Sequence, residues 1–208
     1  MNIKYFLIHG LDRKRRIFMQ AQIRHMGIPQ QDVMWINGPN VGDELPDGLT
    51  TNPNLTRGQV AITHKHYLCL KEIVENNYEI GVIMEDNIEF LSNVTTCLNR
   101  YLKDLPSDWD MLFDSDFFGW KYIEGPISLE MSVYKKSNNP LSPSPGAAKG
   151  AHFLMISNRA AKILYANFLP FNEVSDHYYD YLIRKFNLNT YWAEPSNVHK
   201  IQRQSTWL

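Results

Sequence analysis

Cysteine is scarce in this chain of 208 residues: only Cys69 and Cys97 occur, at a spacing that fits no zinc motif. That excludes a disulfide-dense scaffold, and both are expected as buried or half-buried thiols of a reducing compartment. An excess of charge of one sign is also lacking. The formal net charge is −1 and the densest basic stretch is the short run Arg13-Lys14-Arg15-Arg16, so no nucleic-acid partner is expected. No run of about eighteen apolar residues occurs, and the opening residues Met1 to His9 lack the basic and then long apolar pattern of a signal peptide. The expectation is a soluble, cytoplasmic chain without a transmembrane segment. Internal repeats are absent, and so is a glycine-rich phosphate loop near the N-terminus.

What is present is ordinary globular composition, 44% hydrophobic and 21% charged, at a length that suits one domain over residues 1–208. Short apolar runs alternate with helical patterns, which predicts an α/β fold with a mostly parallel central sheet flanked by helices. Tyr5-Phe6-Leu7-Ile8 reads as a buried strand, followed by Asp12 as an N-cap and a helix ending at Gly27. Val33 to Ile36 is a second strand, closed by Asn37-Gly38-Pro39. From Thr56 a helix carries Ile62, His66, Leu70 and Ile73 at helical spacing. Ile80 to Met84 then reads as a central parallel strand, Val94 to Leu102 as a helix and Asp110 to Phe113 as another buried strand. Residues 137–149 are rich in Pro, Ser and Asn and predict a mobile loop, placed to act as a lid. After it come a strand over His152 to Ile156, a helix capped by Ser157 and a last helix from Asp176 to Phe186. The tail from Tyr191 is expected to be extended and polar.

Acidic clusters stop two of these strands: Glu85-Asp86-Asn87 and Asp114-Ser115-Asp116. Ligands of open α/β sheets bind beyond the carboxyl ends of parallel strands, so both clusters are expected to line one crevice. Carboxylates gathered there suit magnesium or manganese, which would neutralise a departing diphosphate. Acidic residues after strands also serve as caps and turn formers, and that reading stays open. The same holds for His66, which lies on an apolar helix stripe where a hydrogen-bonded core histidine is equally at home.

The segment Leu55-Thr56-Arg57-Gly58-Gln59, then Lys65-His66, then Met84-Glu85-Asp86-Asn87 resembles, in order and spacing, a pattern of glycosyltransferase family 25. Gly10-Leu11-Asp12-Arg13, Trp109-Asp110, Ile156-Ser157, Asp176 and Pro195-x-x-Val198-His199 extend the resemblance over roughly residues 4 to 205. The family implies a GT-A type fold, a UDP-hexose donor (galactose or glucose), a Mn2+ or Mg2+ cofactor and inversion at the anomeric carbon. It also implies an acceptor hydroxyl on a glycan, or on a protein's hydroxylysine or galactosyl-hydroxylysine. Donor-binding positions fall on Leu11, Arg13, Arg16, Asn37, His66, Glu85 and Asp86, and metal ligands on Asp86, Asn87 and His199. Arg13 and Arg16 would reach the diphosphate or the ribose; Lys14 and Arg15 are read as a solvated face.

Four positions depart from the family pattern: Asn87 stands for an Asp, Gln59 for a Glu, Lys65 for a Ser and Gly10 for an Asn. Asp114 and Asp116, which enrich the crevice, or His199, completing the metal site, would offset the carboxylate missing at Asn87. An inverting transfer needs a base, for which Asp176 is first in order, with Asp116 and Asp114 as rivals. Two other readings compete: a degenerate glycosyltransferase fold that binds a nucleotide-sugar without turnover, and a metal-dependent nucleotidyltransferase. The missing glycine-rich loop ranks the second of these last.

Overall fold

The computed structural model describes residues 2–114, 126–128, 130–136 and 150–201. A seven-stranded sheet runs in the order β2-β1-β3-β7-β5-β8-β6. Its strands are β1 (Ile3–Ile8), β2 (Val33–Ile36), β3 (Ile80–Glu85), β5 (Met111–Phe113), β6 (Val133–Lys135), β7 (Phe153–Ser157) and β8 (Thr190–Ala193); β4 (Ile88–Phe90) and β9 (Val198–Lys200) form a separate antiparallel pair. β1, β2, β3, β5 and β8 share one direction, whereas β7 and β6 run against their neighbours. The sheet is therefore mostly parallel, as expected.

Alternation along β1 explains the layers. Phe6 and Ile8 face one core with α2 (Arg57–Glu75), α4 (Asn158–Asn167) and α5 (Ser175–Phe186). Tyr5 and Leu7 face another with α1 (Arg13–His25) and α3 (Val94–Asp104). Three helices start where their sequence says they should. Asp12 caps α1, Ser157 caps α4, and Thr56 with Gln59 forms a reciprocal capping box on α2. Gly27 ends α1 with φ +74°, a conformation that costs a residue with a Cβ. At Gly81 the missing side chain lets Ile73 of α2 lie directly on β3.

One expectation fails, and one expected strand runs against its neighbours. The tail from Tyr191 is not a polar extension: β8 enters the sheet between β5 and β6, with Trp192 and Ala193 buried, and Val198 is buried in β9. His152 to Ile156 is a strand, but β7 is antiparallel, so its beginning and not its end lies beside the ends of β3 and β5. The expected lid, 137–149, and Asp116 lie outside the described residues. Cys69 and Cys97 are both free and buried.

Candidate functional site

The parallel register places the ends of β2, β1 and β3 side by side, pairing Ile8 with both Ile36 and Glu85. His9, Asn37 and Asp86 follow on one sheet edge. Asp86 is 2% exposed. Its Oδ1 accepts from Arg15 Nη1 at 3.0 Å; its Oδ2 accepts from the Gly10 amide at 3.1 Å and lies 2.8 Å from His9 Nδ1. Both carboxylate oxygens are thus engaged by donors that approach from β1 and from the first turn of α1. Arg15, expected on a solvated face, is 5% exposed and belongs to this cluster. The reason is geometric: the N-cap at Asp12 starts the helix so that its third residue turns back towards the strand ends. Lys14 remains exposed, as expected.

Lys65 ties the same edge together from α2. Its ammonium donates to the carbonyl of His9 at 2.6 Å, to Asn40 Oδ1 at 2.9 Å and to the carbonyl of Asn37 at 3.4 Å. Burial pushes its pKa down to about 8, against the pull of Asp86 and Asp43. On the outer side, Arg16 lies over the Trp35 ring at 4.5 Å and donates to Asn37 Oδ1 at 3.1 Å. Arg16 and Asn37, both expected to bind the donor, are thus brought together at the rim. Arg13, in the same first turn of α1, and Leu11 before it are exposed, Leu11 at 80%.

Glu85 points elsewhere. Its carboxylate lies 2.9 Å from His152 Nδ1 and 3.4 Å from His66 Nε2, and it accepts from Asn87 Nδ2 at 3.2 Å. Burial would raise its pKa, but His152 and then His66 outweigh burial and hold it well below the usual carboxylate range. His66 is fully buried; its Nδ1 lies 3.5 Å from the Tyr179 hydroxyl. The histidine is a hydrogen-bonded link between α5 and β3, not a group exposed to a ligand.

Asp114 is 1% exposed. It accepts from the Tyr101 hydroxyl at 3.0 Å and from the Asn197 amide at 2.8 Å. Burial and then the facing carboxylate push the Tyr101 pKa up, so the phenol stays protonated and donates. The two acidic strand ends do share an edge, but β7 separates them: the Glu85 amide donates to the His152 carbonyl at 2.9 Å and the Asp114 amide to the Phe153 carbonyl at 3.1 Å. Both oxygens of Asp114 accept hydrogen bonds from within the protein. Asp176 sits in the first turn of α5, partly exposed, and accepts from the His177 amide at 2.9 Å.

The expected metal ligands do not fit a divalent cation as they stand. Asp86 is already engaged by Arg15 and His9, Asn87 brings no charge, and His199 lies on the exposed side of β9 opposite Glu89. Hard cations need several oxygen donors with net negative charge. Asn87 Oδ1, buried and without a hydrogen-bond partner, is a single neutral oxygen beside a small cleft lined by Arg15, Phe18, Asp86, Asn87 and Ile201. Among the described residues no group of three or more His, Cys, Asp or Glu side chains is placed to hold a metal ion.

Sequence reasoning missed His9, Arg15, Lys65, His152 and Tyr179. His9 and His152 carried one usable signal, since each stands at the boundary of a buried strand. Lys65 carried another: a lysine between His64 and His66 on the buried side of a helix needs acceptors. For Arg15 and Tyr179 nothing local distinguished them from their neighbours.

A mostly parallel sheet with charged groups converging beyond its strand ends is the arrangement at which open α/β proteins bind their ligands. The glycosyltransferase family 25 (LPS biosynthesis protein) model matches residues 3–183, and the chain belongs to that family. The match stops short of β8, β9 and His199. Among curated proteins none matches. Of solved structures, A197 from STIV is similar at TM-score 0.54 and 10% identity, over 95% of this chain and 83% of that one. A mutant Drosophila beta-1,4-galactosyltransferase 7 in complex with manganese, UDP-Gal and xylobiose gives TM-score 0.46 and 12% identity, over 98% and 72%. Mannose-1-phosphate geranyltransferase from Thermus thermophilus gives 0.48 and 10%, over 93% and 74%. At such identity the likeness to A197 concerns the fold alone. No helix among the described residues is long and apolar enough to cross a membrane.

Proposed function

We propose that this glycosyltransferase moves a hexose, galactose or glucose, from a UDP-sugar to an acceptor hydroxyl with inversion at the anomeric carbon. The observation that carries the reading is the convergence of Arg15, Arg16, Asn37 and Asp86 at the ends of β1, β2 and β3, in a chain of this family. Arg13 and Arg16 meet the diphosphate, and Trp35 under Arg16 fixes the guanidinium plane. Asp86 holds Arg15 and His9 in place. Asp176 is the base: as the acceptor oxygen attacks the anomeric carbon and the bond to the diphosphate breaks, its carboxylate takes the hydroxyl proton. The acceptor is a glycan, or a hydroxylysine or galactosyl-hydroxylysine side chain.

With radiolabelled UDP-galactose and UDP-glucose and these acceptors, the wild type is expected to turn over one donor, and Asp176→Asn to lose roughly 10²- to 10⁴-fold in kcat. Full turnover by Asp176→Asn removes the base assignment. Binding of UDP-sugar with no turnover in the wild type favours the scaffold reading, which Asn87 motivates.

A further inference from the structure

The acid that the family reading gives to a metal, Asp86, is already engaged by protein side chains. Five residues carry this observation. Arg15 and Asp86 form an ion pair at 3.0 Å with side chains 6% and 1% exposed, so the carboxylate faces a guanidinium in a dry setting. His9 closes the other oxygen at 2.8 Å. Lys65 stands behind His9, held by the carbonyls of His9 and Asn37 and by Asn40 Oδ1. Glu85, the neighbouring acid, is turned away onto His152 and His66. A divalent ion bound at Asp86 would have to break a buried ion pair and would then sit among like charges.

A diphosphate needs the opposite arrangement, and the rim supplies it. Arg13 is exposed on the first turn of α1, and Arg16 is held against Trp35 by its ring contact and by Asn37. Guanidinium groups suit phosphate oxygens because they present paired N–H donors. We infer that this chain neutralises the donor diphosphate with Arg13 and Arg16, braced by the Arg15–Asp86 pair, and that nucleotide binding requires no divalent cation. The inference rests on the nucleotide-sugar reading above and adds to it only that the arginines suffice without a divalent cation.

The test is calorimetric titration of the wild-type protein with UDP, once in excess EDTA and once in excess manganese chloride, and of Arg16→Ala in EDTA. The expected result is a Kd for the wild type that changes by less than about tenfold between the two buffers, and one roughly 10- to 100-fold weaker for Arg16→Ala. Arg16 lies at the surface, so its removal leaves the fold intact, and a matching thermal midpoint checks this. Binding that appears only with manganese, or is tightened by it more than about tenfold, overturns the inference and leaves the donor reading standing. Unchanged affinity in Arg16→Ala overturns the rim assignment. Failure to bind UDP in either buffer sinks both the inference and the donor reading.

Discussion

Asp86 and Asp114 occupy equivalent places, each one residue past a parallel strand on the same sheet edge, yet their neighbours make them different groups. Asp86 is met by a guanidinium from α1 and an imidazole from the end of β1, charged or polar side chains buried with it beyond the strand ends. Asp114 is met by a neutral phenol from α3 and by the amide of Asn197 just before β9. One carboxylate organises charge; the other fastens a helix and a turn to the sheet. Position at a strand end therefore says where an acid lies, and only the donors around it say what it does.

The largest effect that would sharpen this contrast is expected from Asp86→Ala. It removes the buried carboxylate that Arg15 and His9 face, and urea unfolding should show a loss of about 3–5 kcal/mol. UDP binding should fall with it. A loss no greater than that of an exposed substitution would show that Arg15 relaxes into solvent, and the distinction between the two aspartates would weaken. Asp114→Ala comes next, with a loss of about 1–3 kcal/mol from two unsatisfied donors. Turnover per folded molecule should stay at the wild-type level. A drop of two orders of magnitude or more in kcat, measured on folded protein, would return Asp114 to the chemistry.

The smallest effect concerns the acid limb of stability, where Glu85 is the group to watch. Its pKa is lowered in the folded chain from the ordinary value of 4.5 by His152 and His66, against burial. A lowered carboxylate contributes stability that is complete above the unfolded pKa and disappears as pH falls below it. The gap in thermal midpoint between the wild type and Glu85→Gln should accordingly be constant near neutrality and shrink below about pH 4.5. A gap that persists unchanged to lower pH would mean that the two histidines do not hold the carboxylate ionised.

Much of the framework was legible from local chemistry. Asp12, Thr56 and Ser157 announced their helices because caps act within a few residues, and Ile80 to Met84 announced a central strand because both its faces are covered. β8 was not legible: Thr190-Tyr191-Trp192-Ala193 is short, and its burial comes from Phe113 and from β6 across the sheet. The antiparallel direction of β7 was hidden for the same reason, since strand direction is a relation between segments.

Residue order alone was enough for the helices, for the edge on which the acids gather and, through its motifs, for the family. Which cation meets which carboxylate was settled in three dimensions: Arg15 was one of four adjacent basic residues, and only the docking of α1 beside β3 selected it for Asp86. Helix caps and strand patterns are short-range and so can be read from neighbours. An ion pair across 71 residues depends on how two elements pack, and packing is a property of the whole chain.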